Sequence, residues 1–463
     1  MSAIDLIEPS TGEPFATVAE HNSNDVNVAV LAADRAFNNE WRRVSTRDRG
    51  RMLTRLSSLI RKNREELAAL ESRNVGKPIR DSRDEVDLAA DCFEYYAGTT
   101  GKFTGQTIPA AAPGLLMTFR EAVGVCGIIV PWNFPIAITS WKTSPALAMG
   151  NTVVLKPAEQ TPLTALRLAE LALEAGIPEG VFTVVTGAGA IVGEALVKHP
   201  LVRKVAFTGS TEVGKSVMRA AADDVKRVSL ELGGKSANLI FEDCQFDRAL
   251  ASAVSSSLGN AGQDCCARSR ILVQKSLYDR FVEALIEAFE KVKVGDPLSD
   301  DTEMGPLISG QHLQRVERYI ESGTAEGATL ATGGTRPTRF GKGNFLEPAV
   351  FVDTRPDMKI VREEIFGPVV AVMPFQDEPD AIRLANDSVY GLSGSIWTTD
   401  IGRALRVARA VQAGNLSINS GSSVHIEAPF GGVKQSGLGR ELGLQALDHY
   451  TEWKTVYVDM GTS

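Results

Sequence analysis

Cysteine is scarce in this chain of 463 residues: Cys92, Cys126, Cys244, Cys265 and Cys266 are all it holds. Their number is odd and their spacing irregular. That argues against a disulfide framework or a zinc site, so no metal is expected, and for a reducing, cytoplasmic setting. Runs of positive charge are missing as well. The formal net charge is −8 and the lysines and arginines form no stripe, so nucleic acid is not an expected partner. Long hydrophobic runs are also lacking. The most apolar stretch, Ala122 to Ile138, is broken by Pro131, Asn133 and Pro135 well short of the ~20 residues that a membrane helix requires. The segment Met1-Ser2-Ala3-Ile4-Asp5-Leu6 has no charged region followed by an apolar block, so no secretion signal is expected. Nor is there a repeat, a low-complexity tract or a Gly/Ser linker. At ~100–200 residues per domain, the length implies two to three domains packed together.

What is present is an alternation of helical and strand patterns. Residues 25–75 read as helices: Val26, Val30, Ala33 and Phe37 recur at helical spacing, and Arg47 to Leu70 continues an amphipathic pattern. Arg83 to Gly98 is a further helix. Val86, Ala89, Ala90, Phe93 and Ala97 lie on one face, and Asp84, Asp87, Asp91 and Glu94 on another. From Gly150 the rhythm changes. Strands are expected at Thr152 to Lys156, Val181 to Thr186, Val202 to Phe207 and Val225 to Leu230. The helices between them run from Thr161-Pro162 to Gly176, from Ala190, and from Val213 to Ala222. The rhythm then repeats. Strands are expected at Ile271 to Gln274, Val369 to Phe375, Ser393 to Thr398 and Asn415 to Asn419, with helices at Leu277 to Val292, from Asp380 and from Ile401. Such alternation means right-handed crossovers and parallel sheets, here in two halves with Cys265 at the seam. Leu115 to Arg120 and Trp453 to Val458 are extended stretches that fit neither half, and exposed strand edges need covering.

Three short motifs carry chemistry. Asn260-Ala261-Gly262-Gln263-Asp264-Cys265-Cys266-Ala267-Arg268 places Cys265 on a polar, glycine-bearing turn after the small-residue helical run Ala249 to Leu258. Leu230-Glu231-Leu232-Gly233-Gly234-Lys235 holds a carboxylate where two glycines let backbone come close. Pro131-Trp132-Asn133-Phe134-Pro135 holds an amide in a turn stiffened by two prolines. Thiol, carboxylate and amide are a nucleophile, a base and an oxyanion donor.

These motifs resemble the NAD(P)-dependent aldehyde dehydrogenase superfamily, hydrolytic type, near its betaine-aldehyde and aminoaldehyde members. The resemblance runs from Glu8-Pro9-Ser10-Thr11-Gly12 to Tyr450-Thr451-Glu452. It implies an α/β fold: two doubly wound parallel-sheet domains of aldehyde dehydrogenase type plus a small oligomerisation β-element. Residues 1–103 and 123–233 would form the NAD-binding domain, 234–445 the catalytic domain, and 104–122 with 446–463 the strands that pair subunits into a homodimer or homotetramer. The implied reaction oxidises a small aldehyde to a carboxylic acid. Cys265 attacks the carbonyl, Asn133 and the Cys265 N–H hold the oxyanion, and Glu231 activates the water that releases the acyl group. Lys142 and Glu452 match family residues that steady Glu231 or relay its proton; a structural salt bridge is the other reading of that pair. Cys266 reads as a bystander, because adjacent side chains on an extended turn point apart.

For the cofactor, Gly187-Ala188-Gly189-Ala190-Ile191-Val192-Gly193 is a weak candidate. Its third glycine falls one residue late for the dinucleotide fingerprint, so it reads as a tight turn near the cofactor. In Phe207-Thr208-Gly209-Ser210-Thr211, free N–H groups at a helix start and the Ser210 hydroxyl can hold a phosphate, and the resemblance puts Gly209 and Ser210 beside the pyrophosphate. Lys156 and Glu159 stand at the C-terminal end of a parallel strand, where such sheets bind ligands. The resemblance assigns them to the adenosine ribose. A carboxylate there would repel a 2′-phosphate, which favours NAD over NADP. Glu364 and Phe366, in Glu364-Ile365-Phe366-Gly367-Pro368, match residues at the nicotinamide ribose and ring, and Pro131, Trp132 and Leu232 complete the implied cofactor contacts.

Two other functions stand beside this one: a CoA-acylating semialdehyde dehydrogenase, whose members commonly lack the base glutamate, and a catalytically silent family member. The acidic face of Asp84, Asp87, Asp91 and Glu94 reads either as a solvated helix side or as a lip attracting a cationic aldehyde. Ser420-Gly421-Ser422-Ser423 lacks the aromatic residue that many enzymes for cationic aldehydes place there. His425 is a candidate for the substrate mouth.

Overall fold

The computed structural model describes residues 2–111, 113–422 and 424–461. Met1, Ala112, Ser423, Thr462 and Ser463, which fall within the segments assigned above, lie outside the described residues. The architecture is α/β with the two expected sheets. Their β-branched runs are buried on both faces, every position of Thr152–Lys156 included, as happens when helices cover a parallel sheet from both sides.

The first sheet has six strands in the order Gly437–Leu438, Arg227–Glu231, Val202–Thr208, Val125–Ile129, Thr152–Lys156, Phe182–Val184. All pair in parallel except Gly437–Leu438, which joins antiparallel with Gly437 opposite Glu231. This edge strand comes from the stretch 234–445, so the C-terminal half of the chain completes the first sheet. The second sheet has seven strands in the order Thr329–Thr332, Ala349–Val352, Val369–Phe375, Arg270–Gln274, Ala237–Ile240, Ser393–Trp397, Asn415–Ile418. Only Thr329–Thr332 runs antiparallel to its neighbour. Thr451–Asp459 pairs antiparallel with Gly114–Ala122, Trp453 opposite Arg120, and Thr107–Ile108 adds to it. Leu115, Phe119, Trp453 and Tyr457 on this ribbon are each more than 40% exposed. Among the described residues, no helix is long and apolar enough to cross a membrane.

Several elements lie outside the expected pattern. The strand Val125–Ile129, at the middle of the first sheet, is buried along nearly its whole length and shows no alternation to mark it. The helix Pro135–Ala148 buries every side chain except Trp141, so its apolar positions follow no helical period. The short paired strands Ala3–Ile7 and Pro14–Ala19, the strand Ala237–Ile240 and the helix Gly310–Ala325 were likewise not anticipated.

Candidate active site

The C-terminal ends of the first sheet's strands carry the three motifs' upstream members. Asn133 follows Val125–Ile129, Glu231 ends Arg227–Glu231, and Gly209 and Ser210 follow Val202–Thr208. Cys265 comes from the other half, after the helix Phe246–Leu258 and a turn in which Asn260 and Ala261 have φ of 50° and 55°. Close approach explains the glycines around it. A Cβ on Gly262 would lie 2.2 Å from the Gly367 carbonyl oxygen, and one on Gly234 would lie 2.3 Å from that of Cys265.

The Asn133 loop and the cysteine turn are cross-linked. Asn133 Nδ2 donates to the Gln263 carbonyl at 2.9 Å, and Asn260 Nδ2 donates to the Asn133 carbonyl at 2.9 Å. Gln263 Oε1 in turn accepts the Ile308 N–H at 2.9 Å. One amide hydrogen of Asn133 is thus used in holding the side chain, which leaves its second for another acceptor.

The Asp264 carboxylate and the Cys265 and Cys266 sulfurs all lie within 4.8 Å of one another. The expectation that the two thiols point apart therefore fails, because the backbone there is turned rather than extended. The neighbouring Cys266 thiol comes first, and burial second, in pushing the Cys265 thiol well above its ordinary range. Cys265 accordingly rests as a thiol and needs a proton acceptor to attack.

Burial likewise pushes the Glu231 carboxyl well above the usual carboxylate range. The charge of Glu441 pushes the same way, and Lys142 and Arg440 oppose it. Among the described residues Glu231 Oε2 is buried without a hydrogen-bond partner, an acceptor available to a water proton.

The expected Lys142–Glu452 pair does not form. Lys142 Nζ bonds Glu441 Oε1 at 2.6 Å, with both side chains buried. Glu452 lies on the exposed ribbon, paired with Arg227. The strand register sets this outcome: Glu452 stands opposite Glu121 on the ribbon, whereas Glu441 is bonded through its backbone to Phe430 and faces inward. Glu441 is a residue that sequence reasoning missed. Its only local signal is an Arg-Glu pair between glycines, Gly439-Arg440-Glu441-Leu442-Gly443.

A cavity of about 290 Å³ brings together Pro131, Trp132, Asn133, Gly209, Ser210, Leu232, Cys265, Glu364 and Phe366, joined by His312 and Arg315, which the sequence did not single out. Phe366 sits at φ 62°, a strained value for a residue with a side chain. It is held there by His312, whose Nε2 donates to the Phe366 carbonyl at 2.6 Å, and by edge-on contacts with Trp132 at 5.3 Å and His312 at 6.1 Å. Glu364 Oε1 accepts the Gly234 N–H at 2.9 Å, and burial pushes its carboxyl up to about 7.

Beyond the turn at Gly209 and Ser210 a second cavity of about 700 Å³ opens, lined by Gly189, Gly193, Phe207, Val213 and Val217 among others. Lys156 and Glu159 line neither cavity but abut the second one's wall. A Cβ on Gly193 would meet Lys156 at 3.6 Å, and Glu159 accepts the Gly189 N–H. Two cavities near one helix N-terminus, one beside the thiol and one between helices, suit the two ends of a dinucleotide.

The acidic helix face is not a bare lip. Arg64 binds Asp87 at 2.8 Å, and Arg61 binds Asp91 and Glu94, both at 2.6 Å.

A strand-end site with a cysteine at the seam of two parallel sheets and a cleft shaped for a dinucleotide defines a nicotinamide-dependent oxidoreductase with a thiol nucleophile. The aldehyde dehydrogenase family matches residues 1–456, and the chain belongs to that family. It is 47% identical over 457 residues to an aldehyde dehydrogenase of Emericella nidulans, covering 98% of this chain and 92% of that one. It is 44% identical over 456 residues to a betaine aldehyde dehydrogenase of Bacillus subtilis, covering 98% and 93%. A betaine aldehyde dehydrogenase of Staphylococcus aureus solved in complex with NAD+ superposes with a TM-score of 0.98 at 42% identity, over 100% of this chain and 92% of that one. Another structure of that enzyme carries a BME-modified cysteine.

Proposed function

We propose that this aldehyde dehydrogenase uses NAD to oxidise an uncharged, apolar aldehyde to its acid, with Cys265, Glu231 and Asn133 as nucleophile, base and oxyanion donor. The observation that carries the substrate class is a stripe on one side of the helix entry, Phe134, Ile138 and Trp141. Ile138 lines the cavity with Cys265, and Trp141 meets Phe430 edge-on at 5.4 Å. Among the described residues the ammonium groups beside this stripe are both paired, Lys77 over the Phe134 ring with Glu85 and Lys142 with Glu441.

In the reaction, the Cys265 sulfur bonds to the aldehyde carbon and its proton passes to Glu231, which releases it to solvent before the hydrolytic step. Asn133 Nδ2 and the Cys265 N–H stabilise the oxyanion; losing one such donor costs about 3–4 kcal/mol. Gly209, Ser210, Glu364 and Phe366 would hold the nicotinamide and phosphate end of the cofactor, and Lys156 and Glu159 its adenosine ribose. Held there, NAD would supply an acceptor for the hydride of the aldehyde carbon. The acyl group is left on Cys265 as a thioester. Glu231 takes a proton from water, the hydroxide attacks the thioester, and the thiol is released with the acid. The buried Lys142–Glu441 pair, whose charges act on Glu231, would exchange the Glu231 proton. The presence of Glu231 favours water over CoA as the acyl acceptor.

A second reading has one supporting observation. Burial first, and the charge of the exposed Glu427 second, raise the Tyr95 phenol, and a carboxylate near a ring suits a cationic aldehyde. NADH formation from hexanal, benzaldehyde, 4-aminobutanal and betaine aldehyde, with NAD and with NADP, separates the two readings. Activity confined to the cationic pair, and lowered for that pair by Glu427→Gln, overturns the apolar reading. Loss of all turnover in Cys265→Ala is required by either.

The exposed apolar ribbon of Gly114–Ala122 and Thr451–Asp459 supports a homodimer or homotetramer. Light scattering on Trp453→Asp, expected to yield a smaller species, tests it. The free cysteines support a reducing, cytoplasmic setting.

A further inference from the structure

Behind the Asn133 loop lies a buried group of charges that the reaction above does not use. Glu71 belongs to the helix Arg64–Val75, Glu85 to the helix Ile79–Ala97, and Lys77 to the turn between them. They are 0%, 8% and 1% exposed. Lys77 Nζ donates to both Glu85 oxygens, at 2.5 and 2.6 Å, and stands 4.3 Å from the centre of the Phe134 ring. Glu71 Oε1 accepts the Ile136 N–H at 3.1 Å, and its Oε2 accepts the Thr164 hydroxyl at 2.7 Å. The residue just after Asn133 is therefore held by an ammonium on its ring, and the second residue of the following helix by a carboxyl on its N–H.

Two carboxylates against one ammonium would bury an excess negative charge, which is costly. The charge of Glu71 acts on Glu85, and one proton retained by the two carboxyls makes the group neutral. The other charges facing it are Asp81 with Arg80, on the helix of Glu85, and Asp264, beside Cys265. Burial pushes Glu71 upward and Glu85 to about 8, consistent with a proton retained at neutral pH.

The geometry points to Lys77, Glu71 and Glu85 as positioning residues for the oxyanion donor Asn133, with one proton retained on the two carboxyls so that Phe134 and Ile136 are held without net buried charge. This rests on the reading of Asn133 as that donor. When that proton leaves at alkaline pH, the group gains a negative charge, its hold on the loop loosens, and kcat declines.

The test measures kcat, KM and their pH profiles for Lys77→Met, Lys77→Arg and Glu85→Gln, each alone and combined with Asn133→Ala, with thermal unfolding recorded for each. Lys77→Met is expected to lower kcat about 10- to 100-fold, the effect of a misplaced catalytic group, and to leave KM for NAD within about twofold. Lys77→Arg recovers most of that loss. In the Asn133→Ala background, Lys77→Met has no further effect. Glu85→Gln, which cannot lose the proton, flattens the alkaline decline of kcat.

A folded Lys77→Met with undiminished kcat overturns the proposal, as does an equal further loss in the Asn133→Ala background. If Lys77→Met does not fold, an unchanged alkaline decline in Glu85→Gln overturns it. An Asn133→Ala enzyme with undiminished kcat removes the donor reading itself, a failure distinct from that of Lys77→Met alone.

Discussion

Adding a single methyl group at Gly234 probes how tightly the cysteine is placed. The new Cβ would lie 2.3 Å from the Cys265 carbonyl oxygen, where ordinary contact begins at 3.4 Å. The obstructing atom is backbone, so no rotamer change relieves it, and the Cys265 peptide must retreat by roughly 1 Å. A misplacement of that size costs on the order of 100-fold in rate, or about 2.7 kcal/mol of barrier. The overpacking itself lowers stability by about 1–3 kcal/mol. Gly233→Ala is the control beside it. Its Cβ would lie 2.3 Å from Glu364 Oε2, the end of a side chain that can swing away. Steady-state kinetics with saturating aldehyde should show Gly234→Ala losing kcat about 100-fold, and Gly233→Ala chiefly raising KM for NAD. Equal behaviour of the two variants, or a Gly234→Ala enzyme within about threefold of the parent, would refute the reasoning.

Glu441→Gln is expected to slow acyl release about 10- to 100-fold, seen as a burst of NADH followed by a slow steady state, while Glu452→Gln leaves both phases unchanged; the reverse pattern would restore the Glu452 assignment. Cys266→Ala removes the leading cause that raises the Cys265 thiol, so the pH at which iodoacetamide alkylation reaches half its limiting rate should fall; an unmoved profile refutes that cause. Asp87→Asn breaks a half-exposed pair with Arg64 that is worth at most about 1 kcal/mol, and should leave KM alike for cationic and neutral aldehydes; a rise for the cationic one alone would revive the acidic lip.

Cys265, Glu231 and Asn133 stood out because each sits in a local motif whose glycines or prolines have a steric reason visible over a few residues. The strand–helix rhythm from Thr152 onward was legible for a similar cause: its strands are continuous β-branched runs between turn residues. The helix Pro135–Ala148 was not, since a helix buried all round has no amphipathic period to detect. The partner of Lys142 was not legible either. The choice between Glu441 and Glu452 is made by which carboxylate the chain folds inward, a contact far apart in sequence that no spacing rule encodes. The acidic helix face shows the same limit, because its arginines come from the neighbouring helical segments at Arg61 and Arg64.

The edge strand Gly437–Leu438 bears on the order of assembly. Leu442, Ala446, Leu447 and Tyr450, which follow it, are buried in the same core as Trp41, Phe93 and Val153 from the N-terminal half. During synthesis the first sheet therefore has every strand but its last long before the ribosome reaches residue 437, and its core stays open until that segment emerges. The half that comes first in the chain is finished last. A polypeptide stopped near residue 430 would present an uncovered strand at Arg227–Glu231 and an unfilled apolar hollow, the features by which chaperones and proteases recognise incomplete chains.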